Sequence, residues 1–143
     1  MPTLKVSEEQ LRLIQRALDL YSRIGIGQFD VIKDHPTFER HLHREFKDEN
    51  GKTDYSRYHS VRDAVDMTLV QPRNMLYNDN LIGRNGSWGI HNPNVDDSCR
   101  DAYDLIQVIR HEFWKRDPNR SDITVDSSIT LTDNKNKNIE VEL

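Results

Sequence analysis

Apolar residues recur at helical spacing in four stretches of the chain, and near its end the spacing shortens to two. Leu11, Ile14, Leu18 and Tyr21 share one face, backed by Leu13, Ala17 and Ile24, which is the signature of an amphipathic helix. The preceding Ser7-Glu8-Glu9-Gln10 reads as a capping box, with Ser7 as N-cap, Gln10 reaching back, and Val6 and Leu11 placed for a hydrophobic staple. Gly25 and Gly27 weaken any continuation by ~1 kcal/mol each, so the first helix is expected over 8–24. Phe38, Leu42 and Phe46 give one apolar residue per turn behind Pro36, which suits a first helical turn. Asp48-Glu49-Asn50-Gly51 marks a turn. Tyr58, Val61, Val65 and Leu69 continue the helical period and are expected to stop before Pro72.

Between Gln71 and Asn94, asparagine, glycine and proline break the apolar residues into short pieces such as Leu81-Ile82 and Trp88-Gly89-Ile90, which predicts a loop with room for one short strand. Cys99, Ala102, Ile106, Ile109 and Phe113 then restore a helical stripe, widened by Tyr103 and Leu105. Asn94, Asp96 and Asp97 suit its start, where a carboxylate opposes the positive end of the helix dipole, and Asp117-Pro118-Asn119 ends it. In the tail, Ile123, Val125, Ile129 and Leu131 share one parity, as do Ile139, Val141 and Leu143 across the polar 133–138. That alternation predicts a β-hairpin with one apolar face. The expected fold is therefore α+β and mostly helical: about four helices over 1–119 with a C-terminal β-hairpin over 120–143, in a single domain.

The 143-residue length agrees with one domain. With 35% hydrophobic and 31% charged residues, and a mean hydropathy of −0.83, the core is thin, so a homo-oligomer is expected to complete it. No segment approaches the ~18 apolar residues of a membrane span, and the N-terminus lacks the apolar stretch of a signal peptide; a cytoplasmic location follows as the expectation, with no membrane partner. A formal charge of −4 and a pI near 5.8 argue against nucleic acid held on a broad basic face. The single cysteine, Cys99, excludes an intrachain disulfide framework and a multi-cysteine zinc site.

Catalytic signatures are weak. His35, Glu39 and His43 are spaced by four, which would align metal ligands on a helix, but Pro36 puts His35 outside the helix and favours a solvated polar face. Cys99 lies on an apolar stripe, where an inert buried thiol is the ordinary outcome. Glycine-rich phosphate loops and a nucleophile elbow are both missing from the sequence, so no cofactor, metal or catalytic residue is assigned. Two features do suggest ligand chemistry. The run from Asn85 to Asp97 sets Trp88 between glycines, beside Asn92, Asn94 and Asp96; an indole there can stack on a flat group while the amides and carboxylate bond base edges or ribose hydroxyls. Its structural alternative is an Asx-turn loop capping the last helix, with Trp88 filling core. Arg23, next to Gly25-Ile26-Gly27-Gln28, and Arg110, next to Ile109, adjoin apolar stripes; each either pairs with a carboxylate or grips a phosphate bidentately. Tyr55, Arg57 and Tyr58 form a smaller candidate patch for stacking and charge.

Two blocks, Tyr21-Ser-Arg-Ile-Gly-Ile-Gly-Gln-Phe-Asp30 and Gly86-Ser-Trp-Gly-Ile-His-Asn-Pro-Asn-Val-Asp-Asp-Ser98 with Val108-Ile-Arg-His-Glu112, resemble segments of small bacteriophage proteins. The chain is similar to the phage anti-defence family that counters Thoeris by sequestering its cyclic ADP-ribose signal. The resemblance implies an oligomer that buries a cyclic or ADP-ribose-type nucleotide without cleaving it. It further implies that Asn92, Asn94 and Asp96 contact ribose or base, that Trp88 stacks, that Arg110 holds phosphate, and that Arg23 and Gln28 belong to the site. The tail after Arg120 has no counterpart in that family. Two alternatives remain at this level: a protein that docks a host or phage partner through the Trp88 loop, and a small nucleotide-cleaving enzyme using Asp96, Asp97, His91 or His111 as acid and base.

Overall fold

The computed structural model describes residues 4–77, 86–119, 131–132 and 141. They form helices α1 (Glu8–Gly25), α2 (Pro36–Glu45), α3 (Tyr55–Tyr77) and α4 (Asp97–Arg116), with a 3-10 segment (Phe29–Asp34) before α2. The chain divides into two compact units, one made of residues 1–26 and 88–143 and the other, inserted between them, of residues 27–87.

In the first unit α1 and α4 pack antiparallel. The capping box of α1 is present on both sides: the Ser7 N–H donates to Gln10 Oε1 at 2.8 Å and the Gln10 N–H to Ser7 Oγ at 3.2 Å. All five residues of the predicted α4 stripe are buried. Leu11, Ile109 and Phe113 form the centre of the core, with Ile14, Leu18, Leu105 and Val141 packed against it. At one end of the pair, Arg116 lies 3.7 Å from Glu8; at the other, Gly25 meets Cys99 so closely that a β-carbon there would lie 2.9 Å from Cys99 Cβ. Burial pushes the Cys99 thiol pKa up, as an inert core thiol requires.

The inserted unit is built on α3. Asp54 starts that helix by accepting the Arg57 N–H on its carboxylate, and His35 caps α2 through the Thr37 N–H. Lys33 reaches the buried Asp66 at 2.6 Å, Arg62 bonds Asp34, and Tyr58 donates to Glu39 at 3.1 Å. These pairs tie the 3-10 segment and α2 onto α3.

Two expectations are corrected. The α+β class does not hold: among the described residues there is no β-strand, only an isolated antiparallel bridge between Lys47 and Thr53. Most of the predicted hairpin at 120–143 lies outside the described residues. Of its described positions, Thr132 gives its N–H to the Asp104 carboxylate at 2.8 Å and its hydroxyl to the same group at 3.0 Å, while Val141 packs on the α1–α4 core. Apolar alternation shows that a segment has a face to bury, not that another strand covers it; the described Val141 meets the α1–α4 core. The second correction is that α3 runs through Pro72 to Tyr77, instead of stopping short and opening into a loop. A mid-helix proline costs about 3 kcal/mol. The turn beyond it is nonetheless held by packing, because Tyr77 sets its ring edge-on to Phe29 at 5.8 Å and Arg73 is buried, donating to the Gly86 carbonyl at 3.2 Å. Gly27 lies against both side chains at ordinary van der Waals distance, and its φ of +87° is a left-handed conformation that favours glycine. The predicted strand pieces fare likewise: Leu81-Ile82 lies outside the described residues, and Trp88-Gly89-Ile90 leads into a turn.

Candidate functional site

The loop between the inserted unit and α4 is wound from short turns. Trp88 opens it, its N–H donating to the Ile26 carbonyl at 2.9 Å and so joining the chain's return point to the end of α1. The Asn92 N–H then closes a turn on the Gly89 carbonyl at 2.8 Å, and the Val95 N–H closes another on the Asn92 carbonyl at 2.9 Å. The Asn92 side chain accepts the Asn94 N–H at 2.9 Å, an Asx turn, and Arg100 clamps the Asn92 carbonyl at 3.2 Å. Val95 is buried beneath the loop. Trp88 is half-buried and Asn94 and His91 are exposed. The structural alternative accounts for part of this motif, since Asn92 is spent on the turn. A stiff loop is also a prepared one: its outward groups need little ordering to meet a ligand.

Asp96 is the N-cap of α4, accepting the Ser98 N–H at 2.8 Å and the Ser98 hydroxyl; that hydroxyl also lies 2.7 Å from the Tyr21 hydroxyl. These donors, the Ser98 hydroxyl first, hold the Asp96 carboxyl below its usual range. Its contribution is therefore complete above the ordinary unfolded carboxylate pKa of about 3.9 and is lost as pH falls through the lower folded value. Asp96→Asn keeps a capable cap but removes the charge. Urea midpoints of the wild type and this variant should accordingly differ at neutral pH and converge in acid; a gap that persists in acid would mean that the charge is irrelevant there.

The two candidate arginines are brought together by a residue that the sequence pattern did not single out. Asp19 accepts from Arg23 Nε at 2.7 Å and from Arg110 Nη2 at 3.2 Å, so one carboxylate on α1 faces two guanidiniums. All three side chains remain partly open to solvent. The Asp19–Arg23 spacing of four on a helix was the available signal; the contact with Arg110, ninety-one residues away, had none.

Other predicted groupings are not assembled. Arg110 lies fourteen residues along α4 from Asp96, roughly 21 Å at ~1.5 Å per residue, so Arg110 stands well down the helix from the loop. Arg23 is the closer arginine in sequence to the loop's anchor, three residues before Ile26. Gln28 belongs to the inserted unit, where its amide donates to Ser87 at 3.2 Å. His111 is stacked on Trp114 at 5.5 Å and is one residue further than Arg110 from Asp96, whereas His91 stays on the loop with Asp96 and Asp97. His43 stacks on Tyr58 at 4.7 Å and Glu39 accepts the Tyr58 hydroxyl; no group of three potential metal ligands occurs among the described residues. In the Tyr55–Arg57–Tyr58 patch, Arg57 covers Phe46 at 5.0 Å and Tyr58 is buried, leaving Tyr55 exposed.

No protein-family model, curated protein or solved structure matches this chain. No helix among the described residues is long and apolar enough to cross a membrane.

Proposed function

We propose that the protein binds and sequesters a cyclic or ADP-ribose-type nucleotide immune signal without cleaving it, as a phage anti-defence protein working as a homo-oligomer in the host cytoplasm. The observation that carries this reading is the convergence of Arg23 and Arg110 on Asp19. The arrangement is partly solvent-exposed, so a phosphate can take the place of the Asp19 carboxylate between the two guanidiniums. Trp88, Asn94 and Asp96 lie on the loop anchored to the end of α1, where an aromatic face, an amide and a carboxylate suit the base and ribose of the same ligand class. Phosphate contact falls to Arg23 and Arg110 together, since both guanidiniums meet at Asp19.

The test is a thermal-shift screen of the full chain against cyclic dinucleotides, cyclic trinucleotides and cyclic ADP-ribose isomers. A ligand at 100 times its dissociation constant adds about 2.7 kcal/mol, which raises the melting temperature by several degrees in a protein of this size. The expected result is a shift with one class, intact ligand recovered after boiling, and loss of the shift in both Arg23→Ala and Arg110→Ala. Cleaved ligand would replace this reading with the enzymatic one. No shift across the panel would favour docking of a protein partner through Trp88.

A further inference from the structure

Asp19 stands where the phosphate of the proposed ligand would go. Its two oxygens are divided between the arginines: Oδ2 accepts from Arg23 Nε at 2.7 Å and Oδ1 from Arg110 Nη2 at 3.2 Å. Arg23 is one turn further along α1 and Arg110 comes from α4, so a single carboxylate brings guanidiniums from two helices to one point. The Asp19 side chain is 29% exposed, and those of Arg23 and Arg110 are 42% and 24% exposed. Neither contact is strong. A part-exposed i,i+4 pair contributes little, and the Arg110 contact is one bond at the long end of the usual range. A carboxylate held in this way is displaceable.

We infer that Asp19 is an internal competitor that determines which anions the two arginines accept. Being attached to α1, it meets them at an effective concentration that a free carboxylate does not match. A ligand therefore binds only by offering more than a carboxylate offers. A phosphate group does so in two ways. It brings further oxygens in the geometry that the guanidinium fork recognises, and a phosphate monoester carries close to two negative charges at neutral pH. A diphosphate likewise brings two charges, whereas a single phosphodiester brings one, as Asp19 does. The arrangement thus favours diphosphates and terminal phosphates over singly charged groups. In the absence of ligand the same carboxylate keeps two like charges facing each other, which stabilises the α1–α4 pair. Affinity and stability therefore respond to its removal with opposite signs. The inference rests on the phosphate contact of the proposed function and adds the residue that sets its selectivity.

The experiment is calorimetric titration of the full chain with inorganic pyrophosphate, the wild type beside Asp19→Asn, with acetate as the singly charged comparison. Asparagine keeps the shape and an oxygen acceptor but gives up the charge. The expected result is pyrophosphate affinity raised about tenfold or more in Asp19→Asn, about 1.4 kcal/mol, together with a lower melting temperature without pyrophosphate. Acetate should bind the wild type far more weakly than pyrophosphate does. Two controls separate the site from overall charge. Glu9→Gln removes the same charge from an exposed position of α1, ten residues and so about 15 Å from Asp19, and should leave the affinity within about twofold. Adding Arg110→Ala to Asp19→Asn should abolish the gain. Pyrophosphate binding that is equal or weaker in Asp19→Asn makes Asp19 a structural strut and overturns the inference, even where the nucleotide screen succeeds. An equal gain in Glu9→Gln, or acetate binding as tight as that of pyrophosphate, overturns it too. Pyrophosphate bound by neither form overturns the inference and the phosphate contact together, while binding by Asp19→Asn alone upholds both.

Discussion

Ile109→Ala is expected to cost the first unit about 2–5 kcal/mol, the range for deleting a buried branched side chain and leaving a cavity. Ile109 is 1% exposed and sits between Leu11 of α1 and Phe113 of its own helix, with Leu18, Leu105 and Val141 packed around them. Those neighbours belong to two helices and to the C-terminal segment, so they cannot all close on the space that three missing heavy atoms leave. A natural domain has a total stability of only about 5–15 kcal/mol, so the loss is a large fraction of what holds α1 to α4. Denaturant unfolding monitored by circular dichroism measures it, with Leu13→Ala as the control. Leu13 is on α1 but exposed, and its truncation should stay within about 0.5 kcal/mol. Equal losses at the two positions would mean that the α1–α4 seam is not where this packing puts it.

Gly25→Ala is the second large effect, and its sign separates local from tertiary control. Helix propensity alone favours alanine over glycine by up to about 1 kcal/mol, and Gly25 is the last residue of α1, at no left-handed φ. Yet an alanine β-carbon would lie well inside van der Waals contact of Cys99 Sγ and 2.9 Å from Cys99 Cβ. Rotating the thiol relieves the first contact; the second can be relieved only by moving a helix. Overpacking of this kind costs typically about 1–3 kcal/mol, so the net change is expected to be destabilising. Cys99→Ala removes Sγ but keeps Cβ, and the double variant should therefore lose less than the sum of the two single variants without regaining wild-type stability. A stabilised Gly25→Ala would show that propensity wins and that the two helix ends are not in contact.

The elements legible in the chain are those whose information lies within a few residues. The Ser7–Gln10 capping box and the stripe from Cys99 to Phe113 are i,i+3 or i,i+4 relations, Pro36 is a first-turn residue, and each is present as expected. Neighbouring positions on a helix face are neighbours in space, so spacing marks which side chains can share a face. Of the candidate site, the Asx turn at Asn92 and the capping role of Asp96 were similarly readable, because both are closed by residues two positions away.

What escaped the pattern depends on partners far along the chain. Pro72 looked like a helix end because the local cost of proline is visible and the packing of Arg73 and Tyr77 on Gly27 and Phe29 is not. Alternation in the tail looked like strand pairing, although Thr132 finds its acceptor in Asp104, twenty-eight residues earlier. No local spacing links Asp19 to Arg110, yet Asp19 gathers Arg23 from its own helix and Arg110 from α4, ninety-one residues on. Short-range order therefore specified the boundaries of α1 and α4, the start of α2, and the face that α4 buries. Which polar groups meet, and where α3 ends, was settled by folding, since an ion pair or a buried turn draws its stabilisation from whichever groups the packed chain brings within reach, at any separation in sequence.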